Sequence, residues 1–304
     1  MSAMAPAALT VGVLCRADEP AVERTLGSLA AAAAPLADAG REVRFAVCVN
    51  GPGAGPALEA ARAFAAREPR WRTTVIVDGR ADKARAWNLV RSACTTPLVA
   101  FCDADVEVAP DALSRLVAAL EADPCALLAS ARQVARLDAP AAGTVARAAS
   151  LPYRFDFRVV GGRLYVMRTA AVERMPEGLL LEDGWLSARL GNDALRTVHD
   201  AEVHFRPAAT LADYFRERLR TEAGKIQIRE QRRAAGAPPR PIARYPWRDL
   251  VAGLGLADAP LVALNLAVRL GARAVAELAA RGGRRIGWAP IASSKLPRTE
   301  VPTP

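Results

Sequence analysis

Leu98-Val99-Ala100-Phe101-Cys102-Asp103-Ala104-Asp105 is the stretch on which the reading of this chain turns. Five apolar residues in a row, bounded by Pro97 and by carboxylates, predict a strand buried on both faces. The run ends in two aspartates separated by one small residue. In an extended chain residues i and i+2 point the same way, so Asp103 and Asp105 can share one ligand. Two hard carboxylates at the mouth of a parallel sheet suit Mg²⁺ or Mn²⁺, and such an ion suits a diphosphate. The plainer alternative is that they solvate a strand end before a helix opened by Pro110-Asp111. The stretch alone leaves both open.

Upstream, the pattern repeats. Thr10–Cys15 is an apolar, β-branched run followed by an Ala/Leu-rich helix to about Ala34. Glu42–Asn50 predicts a second strand, Ala57–Arg67 a helix, Thr73–Asp78 a third strand and Lys83–Ser92 another helix. Strands alternating with helices at this spacing predict right-handed crossovers and an α/β, doubly wound, mostly parallel sheet flanked by helices. Polar residues gather after the strand ends, where such sheets bind ligands. Gly51-Pro52-Gly53-Ala54-Gly55-Pro56 is read as a turn and not as a phosphate loop. Its spacing is not GxGxxG, and its prolines lack the N–H donors that a phosphate cradle needs.

The chain of 304 residues is long enough for one large α/β domain with an appendage. Its 52% hydrophobic and 24% charged residues are those of a globular protein. The net charge of +9 lies entirely toward the C-terminus, where residues 205–304 carry 18 Lys/Arg against 8 Asp/Glu. An anionic partner is expected there. The five cysteines (Cys15, Cys48, Cys94, Cys102, Cys125) show no CxxC spacing. They are read as reduced core residues of a cytoplasmic protein, and no secretory signal is expected before Arg16.

The polar motifs fall in a familiar order. Asp18-Glu19, Val49-Asn50-Gly51, Lys83-Ala84-Arg85-Ala86-Trp87-Asn88 and the DxD-containing Phe101–Asp105 are followed by Gly161–Arg168, Leu181-Glu182-Asp183-Gly184-Trp185-Leu186 and Arg218–Gly224. Over roughly residues 10–225 the chain resembles the inverting nucleotide-sugar glycosyltransferases of family two, which have the GT-A fold. The resemblance implies a GT-A catalytic domain, taken over residues 1–235, and the Gly236–Pro241 break sets off a helical, basic C-terminal extension over 236–304. The resemblance also implies a nucleoside diphosphate sugar donor, a hydroxyl acceptor and a divalent metal. Many relatives act on lipid carriers or envelope glycans, which points toward a lipid-linked acceptor.

Glycosyl transfer requires the departing diphosphate to be neutralised and the acceptor hydroxyl deprotonated, with both held in line. The resemblance makes Asp105 the direct metal ligand, with Asp103 on the metal or the ribose. His204 is the candidate third ligand, against the plainer and favoured reading of an ordinary strand histidine. Glu182 and Asp183 follow an apolar run, where burial raises a carboxylate pKa. The resemblance makes Asp183 the base and Glu182 its partner, while an acidic helix start accounts equally for both residues. Asp18, Glu19 and Asn50 are expected at the nucleotide, and Lys83 either there or capping its helix. Arg218 and Arg220 are donor-phosphate candidates on a helix over Asp213–Arg229. The family's QxxRW pattern is broken here, with Glu217 at the glutamine position and Thr221 at the tryptophan. That departure predicts a single addition in place of processive synthesis.

Past the stiff Gly236–Pro241 break and the apolar Leu250–Ala257, a helix is expected from Asp258-Ala259-Pro260 to about Ala280. Asn265, Arg269, Arg273 and Glu277 form a narrow polar stripe along an otherwise apolar cylinder. Its longest uncharged run, Ala259–Val268, is half of the about twenty residues that a membrane span needs. The expectation is peripheral contact with an anionic membrane surface, at the inner face of the plasma membrane, with packing on the domain as the alternative. A nucleic-acid partner is not expected, because the basic third lacks interleaved aromatics and any reader motif.

Overall fold

Strand β1 (Leu9–Arg16) is flanked by β2 (Val43–Asn50) on one side and β4 (Leu98–Asp103) on the other, all parallel. The computed structural model describes residues 6–53, 55–137, 143–154, 160–236, 254–284, 286–287 and 291–295. Beyond β2 lies β3 (Arg72–Asp78), also parallel. Beyond β4 the sheet continues through β7 (Leu164–Arg168), β6 (Leu128–Ala135), β8 (Leu195–Phe205) and the short β5 (Val106–Val108). The β4–β7, β7–β6 and β8–β5 pairs are antiparallel, whereas β6 and β8 run parallel. The outcome is the expected α/β architecture, a mixed sheet of eight strands that is parallel through its first half.

Helices cover both faces. On one, α1 (Val22–Asp38), α2 (Pro56–Arg67) and α4 (Ala112–Ala122) bury Leu26, Leu29, Phe64, Leu113 and Leu116 against the inner strands. On the other, α3 (Lys83–Ala93) and α6 (Glu182–Leu190) enclose Trp87, Phe101 and Tyr165. Trp87 stacks on Phe101 with ring centroids 4.7 Å apart, and its indole N–H donates to the Tyr165 hydroxyl at 2.8 Å. This satisfied aromatic block supports β4 and β7 just below their polar ends.

Helix α1 runs beyond the expected Ala34, through Pro35 to Asp38. Ala32, Ala33 and Leu36 remain buried there, so continued packing offsets the hydrogen bond that Pro35 removes. Gly51 and Gly53 have φ of 114° and 83°, and a Cβ at Gly55 would lie 1.9 Å from the Ala17 carbonyl oxygen. The glycine-rich segment is thus a turn pressed against the end of β1, as its sequence predicts.

After α5 (Thr144–Ser150), α7 (Leu211–Ala234) and α8 (Ala259–Arg281) pack against each other at the sheet's C-terminal side. Asn265, expected on a continuous polar stripe, is instead 3% exposed. Its amide donates to the Ala148 carbonyl at 2.8 Å and to the Tyr214 hydroxyl at 2.7 Å, so the stripe begins as an internal anchor. No described helix is long and apolar enough to cross a membrane. The Gly236–Pro241 break from Ala237 on, and residues 250–253, lie outside the described residues.

Candidate active site

Parallel pairing aligns strand ends: Arg16 with Asn50, Asn50 with Asp78, and Leu14 with Asp103. The polar residues that follow β1, β2 and β4 therefore share one edge, and a cleft opens there. Asn50 lies on its floor, its amide donating to the Cys15 carbonyl at 3.1 Å. The Asp103–Asp105 turn is held from two sides. The Asp103 N–H donates to the Arg163 carbonyl at 2.9 Å, and the Thr25 hydroxyl of α1 lies 2.8 Å and 2.7 Å from the Ala104 and Val106 carbonyl oxygens.

Each aspartate faces an ammonium. Lys83 pairs with Asp103 at 2.7 Å and with Glu182, while Asp82, one residue earlier, caps α3 by accepting from the Arg85 N–H at 3.1 Å. The cap and the cleft cation are thus separate residues. Lys295 pairs with Asp105 at 2.6 Å and with the buried Glu19. Burial drives Asp105 upward, but the Lys295 charge and hydrogen bond bring its carboxyl below the ordinary range. Burial dominates at Asp103 and at Glu19, which are raised despite their lysines.

The carboxylates of α6 diverge in the same way. Burial would raise Glu182, yet Lys83 lowers it overall. Asp183 is raised to about 6, first by burial and then by the Glu182 charge. Its Oδ1 accepts from the Gly184 N–H at 2.7 Å. A Cβ on Gly162 would lie 2.8 Å from Asp183 Oδ2, so that glycine gives the carboxyl its room. A Cβ at Gly224 of α7 would meet the Leu181 Cβ at 2.5 Å, which makes Gly224 the contact that sets where α6 starts.

Of the residues singled out in the sequence, Glu19, Asn50, Lys83, Asp103, Asp105, Glu182 and Arg220 line the cleft. Asp183 lies just behind Glu182. Asp18 does not line it; it is exposed and clamped by Arg16 at 2.8 Å. Arg218 does not line the cleft; it lies two residues from Arg220 on a helix and pairs with Glu217, which does line it, at 2.5 Å. His204 is not brought to the carboxylate pair. On β8 it alternates with Phe205, the neighbour that does line the cleft, and its Nε2 lies 3.6 Å from Glu202. Arg163 and Lys295 line the cleft and were not singled out. The Arg163 guanidinium lies 3.6 Å over the Phe205 ring and bonds the Tyr153 hydroxyl at 3.3 Å.

Among the described residues no cluster of three or more His, Cys, Asp or Glu side chains is set to hold a metal ion. The donors do fit one that completes its shell from phosphate and water. Asp103 and Asp105 are hard ligands in the number that Mg²⁺ takes from proteins beside substrate phosphates. The Lys295 ammonium on Asp105 shows that this carboxylate draws a cation.

The family model described as glycosyl transferase family 2 matches residues 10–161, half of the chain. The chain belongs to glycosyl transferase family 2. Solved structures share the GT-A fold. A mannosyltransferase from Pyrobaculum calidifontis, in complex with GDP-Man and Mn²⁺, is 20% identical with a TM-score of 0.59, over 91% of this chain and 79% of that one. Staphylococcus aureus TarS in complex with UDP-GlcNAc is 11% identical with a TM-score of 0.52, over 91% and 92% of the chains. Glucosyl-3-phosphoglycerate synthase from Mycobacterium tuberculosis, with Mg²⁺ and UDP, is 20% identical with a TM-score of 0.50, over 76% and 80%. No curated protein sequence gives a significant match. This family 2 member is a glycosyltransferase, and its cleft occupies the strand-end edge where α/β sheets bind ligands.

Proposed function

We propose that this glycosyltransferase moves a single sugar, with inversion, from a nucleoside diphosphate sugar to an acceptor hydroxyl. The observation that carries the reading is Lys83 bridging Asp103 and Glu182 in one cleft that Asp105 also lines, with Asp183 next to Glu182 at the start of α6. Glu19 and Asn50 are assigned to the nucleoside side, below which Cys15 and Arg16 close the floor. Asp103 and Asp105 would hold Mg²⁺ or Mn²⁺, which when bound supplies charge for the departing diphosphate. Lys83, Arg163 and Arg220 line the same cleft, and add positive charge that does not depend on a metal.

Asp183 is assigned as the base. A carboxyl raised to about 6 is ionised at neutral pH yet is a better proton acceptor than an ordinary carboxylate. Glu182, kept ionised by Lys83, orients that lysine and raises Asp183 by its charge. Glu217 and Thr221, in place of the family's glutamine and tryptophan, support a single addition. The Glu217 carboxylate is engaged by Arg218, and Thr221 donates to the Glu217 carbonyl at 2.9 Å, so neither offers a platform for a polymer.

The supporting helices carry the acceptor side of the reading. Residues 236–304 are assigned as an extension that meets an anionic membrane surface carrying a lipid-linked acceptor. The test is calorimetric titration with nucleoside diphosphate sugars, with and without Mn²⁺. One donor is expected to bind in a metal-dependent manner and to lose that dependence in Asp105→Ala. Metal-independent, undiminished binding by Asp105→Ala would refute the assignment.

A further inference from the structure

The last described segment, Ile291–Lys295, returns to the ends of β1 and β4, placing Lys295 against Glu19 and Asp105. The segment is fastened just before the lysine. The Ser293 N–H donates to Asp213 Oδ2 of α7 at 2.8 Å, and the Ser293 hydroxyl accepts from the Ala209 N–H at 3.0 Å. Ile291 is buried with Tyr214, Val268 and Ala208. The Lys295 ammonium is held by two carboxylates: it lies 2.6 Å from Asp105 Oδ2 and bonds Glu19.

We propose that Lys295 is a tethered cation that competes with the divalent ion for Asp105, keeping the metal position closed until donor phosphate draws the ammonium away. This rests on the metal-dependent reading above. A carboxylate that already accepts an ammonium in a half-buried cleft has little charge left for a second cation, and two cations on one oxygen repel each other. Lys83 does not act in this way, because it projects from the first turn of α3 and bridges Asp103 to Glu182. Lys295 differs in its tether. The backbone is anchored at Ser293, while a flexible four-carbon stem lets the ammonium swing within the cleft without moving the segment. An incoming phosphate offers it a stronger anion and releases Asp105. The consequence is an order of binding, in which metal alone binds weakly and metal with phosphate binds well.

The experiment uses the full chain and Mn²⁺ alone, with free ion followed by electron paramagnetic resonance. Lys295→Gln is expected to bind Mn²⁺ at least tenfold more tightly than the unaltered enzyme, whereas Lys295→Arg stays close to it. Inorganic pyrophosphate should narrow the difference, because it removes the lysine from Asp105 in the unaltered enzyme. If Glu19 left without its lysine unfolds the single variant, the Glu19→Gln/Lys295→Gln pair, which removes both charges, is expected to show the same gain. Equal or weaker Mn²⁺ binding by the folded glutamine variants would overturn the proposal, and so would Mn²⁺ binding to none of these proteins. Donor turnover, measured separately, distinguishes the two readings. Turnover without a gain in Mn²⁺ affinity sinks the competition alone, and a gain without turnover sinks the transfer reading alone.

Discussion

Asp183 and Glu182 are adjacent in sequence, yet their protonation shifts in opposite directions: Lys83 bonds Glu182 and lowers it, while burial and the Glu182 charge raise Asp183. A base with a pKa of about 6 gives transfer an ascending pH limb near that value, measurable as kcat/KM between pH 5 and 8. A limb below pH 5 would remove Asp183 from the role. Asp183→Asn is expected to lower transfer by about 10²–10⁴-fold while donor affinity stays unchanged. The same shift has a stability consequence. Because the folded-state value lies above the ordinary carboxylate value, the fold favours the neutral acid. That contribution is complete below the unfolded-state value and is lost as pH rises through about 6. Asp183→Asn, which is neutral at every pH, should therefore melt higher than the unaltered enzyme at pH 8 and no higher at pH 4. Loss of the partner cation acts in the other direction. Lys83→Met leaves Asp103 and Glu182 facing each other in a half-buried cleft, and a loss of about 3–5 kcal/mol in chemical denaturation is expected.

At the scale of elements, the site depends on how closely α7 approaches the start of α6. Gly224 is the point of contact, with room for no Cβ short of moving Leu181. Gly224→Ala is expected to cost about 1–3 kcal/mol and, by displacing the residues that lead into Glu182, to lower transfer more than donor binding. An unchanged melting temperature would show that the two helices are not packed at this position. The strands explain why so much was legible beforehand. A buried parallel strand needs a continuous apolar run, and its polar residues collect where it ends, so Leu98–Asp103 and Val43–Asn50 each announced an element and a cleft-lining residue, and Leu9–Arg16 an element with Glu19 three residues beyond it. What stayed hidden was what the strand pattern does not encode. Arg163 falls within the Gly161–Arg168 segment of the family resemblance, but only the ring of Phe205 beneath it reveals its direction. Lys295 has no local signal at all. It is 276 residues from Glu19, and no periodicity brings them together. His204 follows its favoured reading as a strand histidine: β-strand alternation gives the cleft to Phe205, and His204 lies beside Glu202.

For the whole molecule the remaining question is why so basic a C-terminal third carries an apolar helix face. One side of α8 is used internally, through Leu261, Val268, Ala272 and Ala276. The other leaves Leu270 and Leu278 about two-thirds exposed, at 64% and 66%, on the helix that also carries Arg273 and Arg281. One face of the helix packs on the domain, and the exposed leucines of the other leave a face on which surface contact can be tested. Exposed leucines beside Arg273 and Arg281, which also pair with Glu277, suit an anionic lipid interface, where the apolar side chains enter the acyl boundary and the guanidiniums stay at the headgroups. Each leucine contributes about 1.5–3 kcal/mol when fully buried, and each basic residue about 1 kcal/mol near a negative leaflet. Full-length protein is thus expected to co-sediment with vesicles containing anionic phospholipid at low salt. Binding should fall as salt shortens the reach of the arginines. Leu270→Glu/Leu278→Glu should weaken that binding at least about tenfold, the equivalent of ~1.4 kcal/mol, without shifting the melting temperature, since neither side chain is buried. Undiminished sedimentation of the double variant would move the contact away from this face, and indifference of the unaltered protein to vesicles at low salt would end the membrane reading.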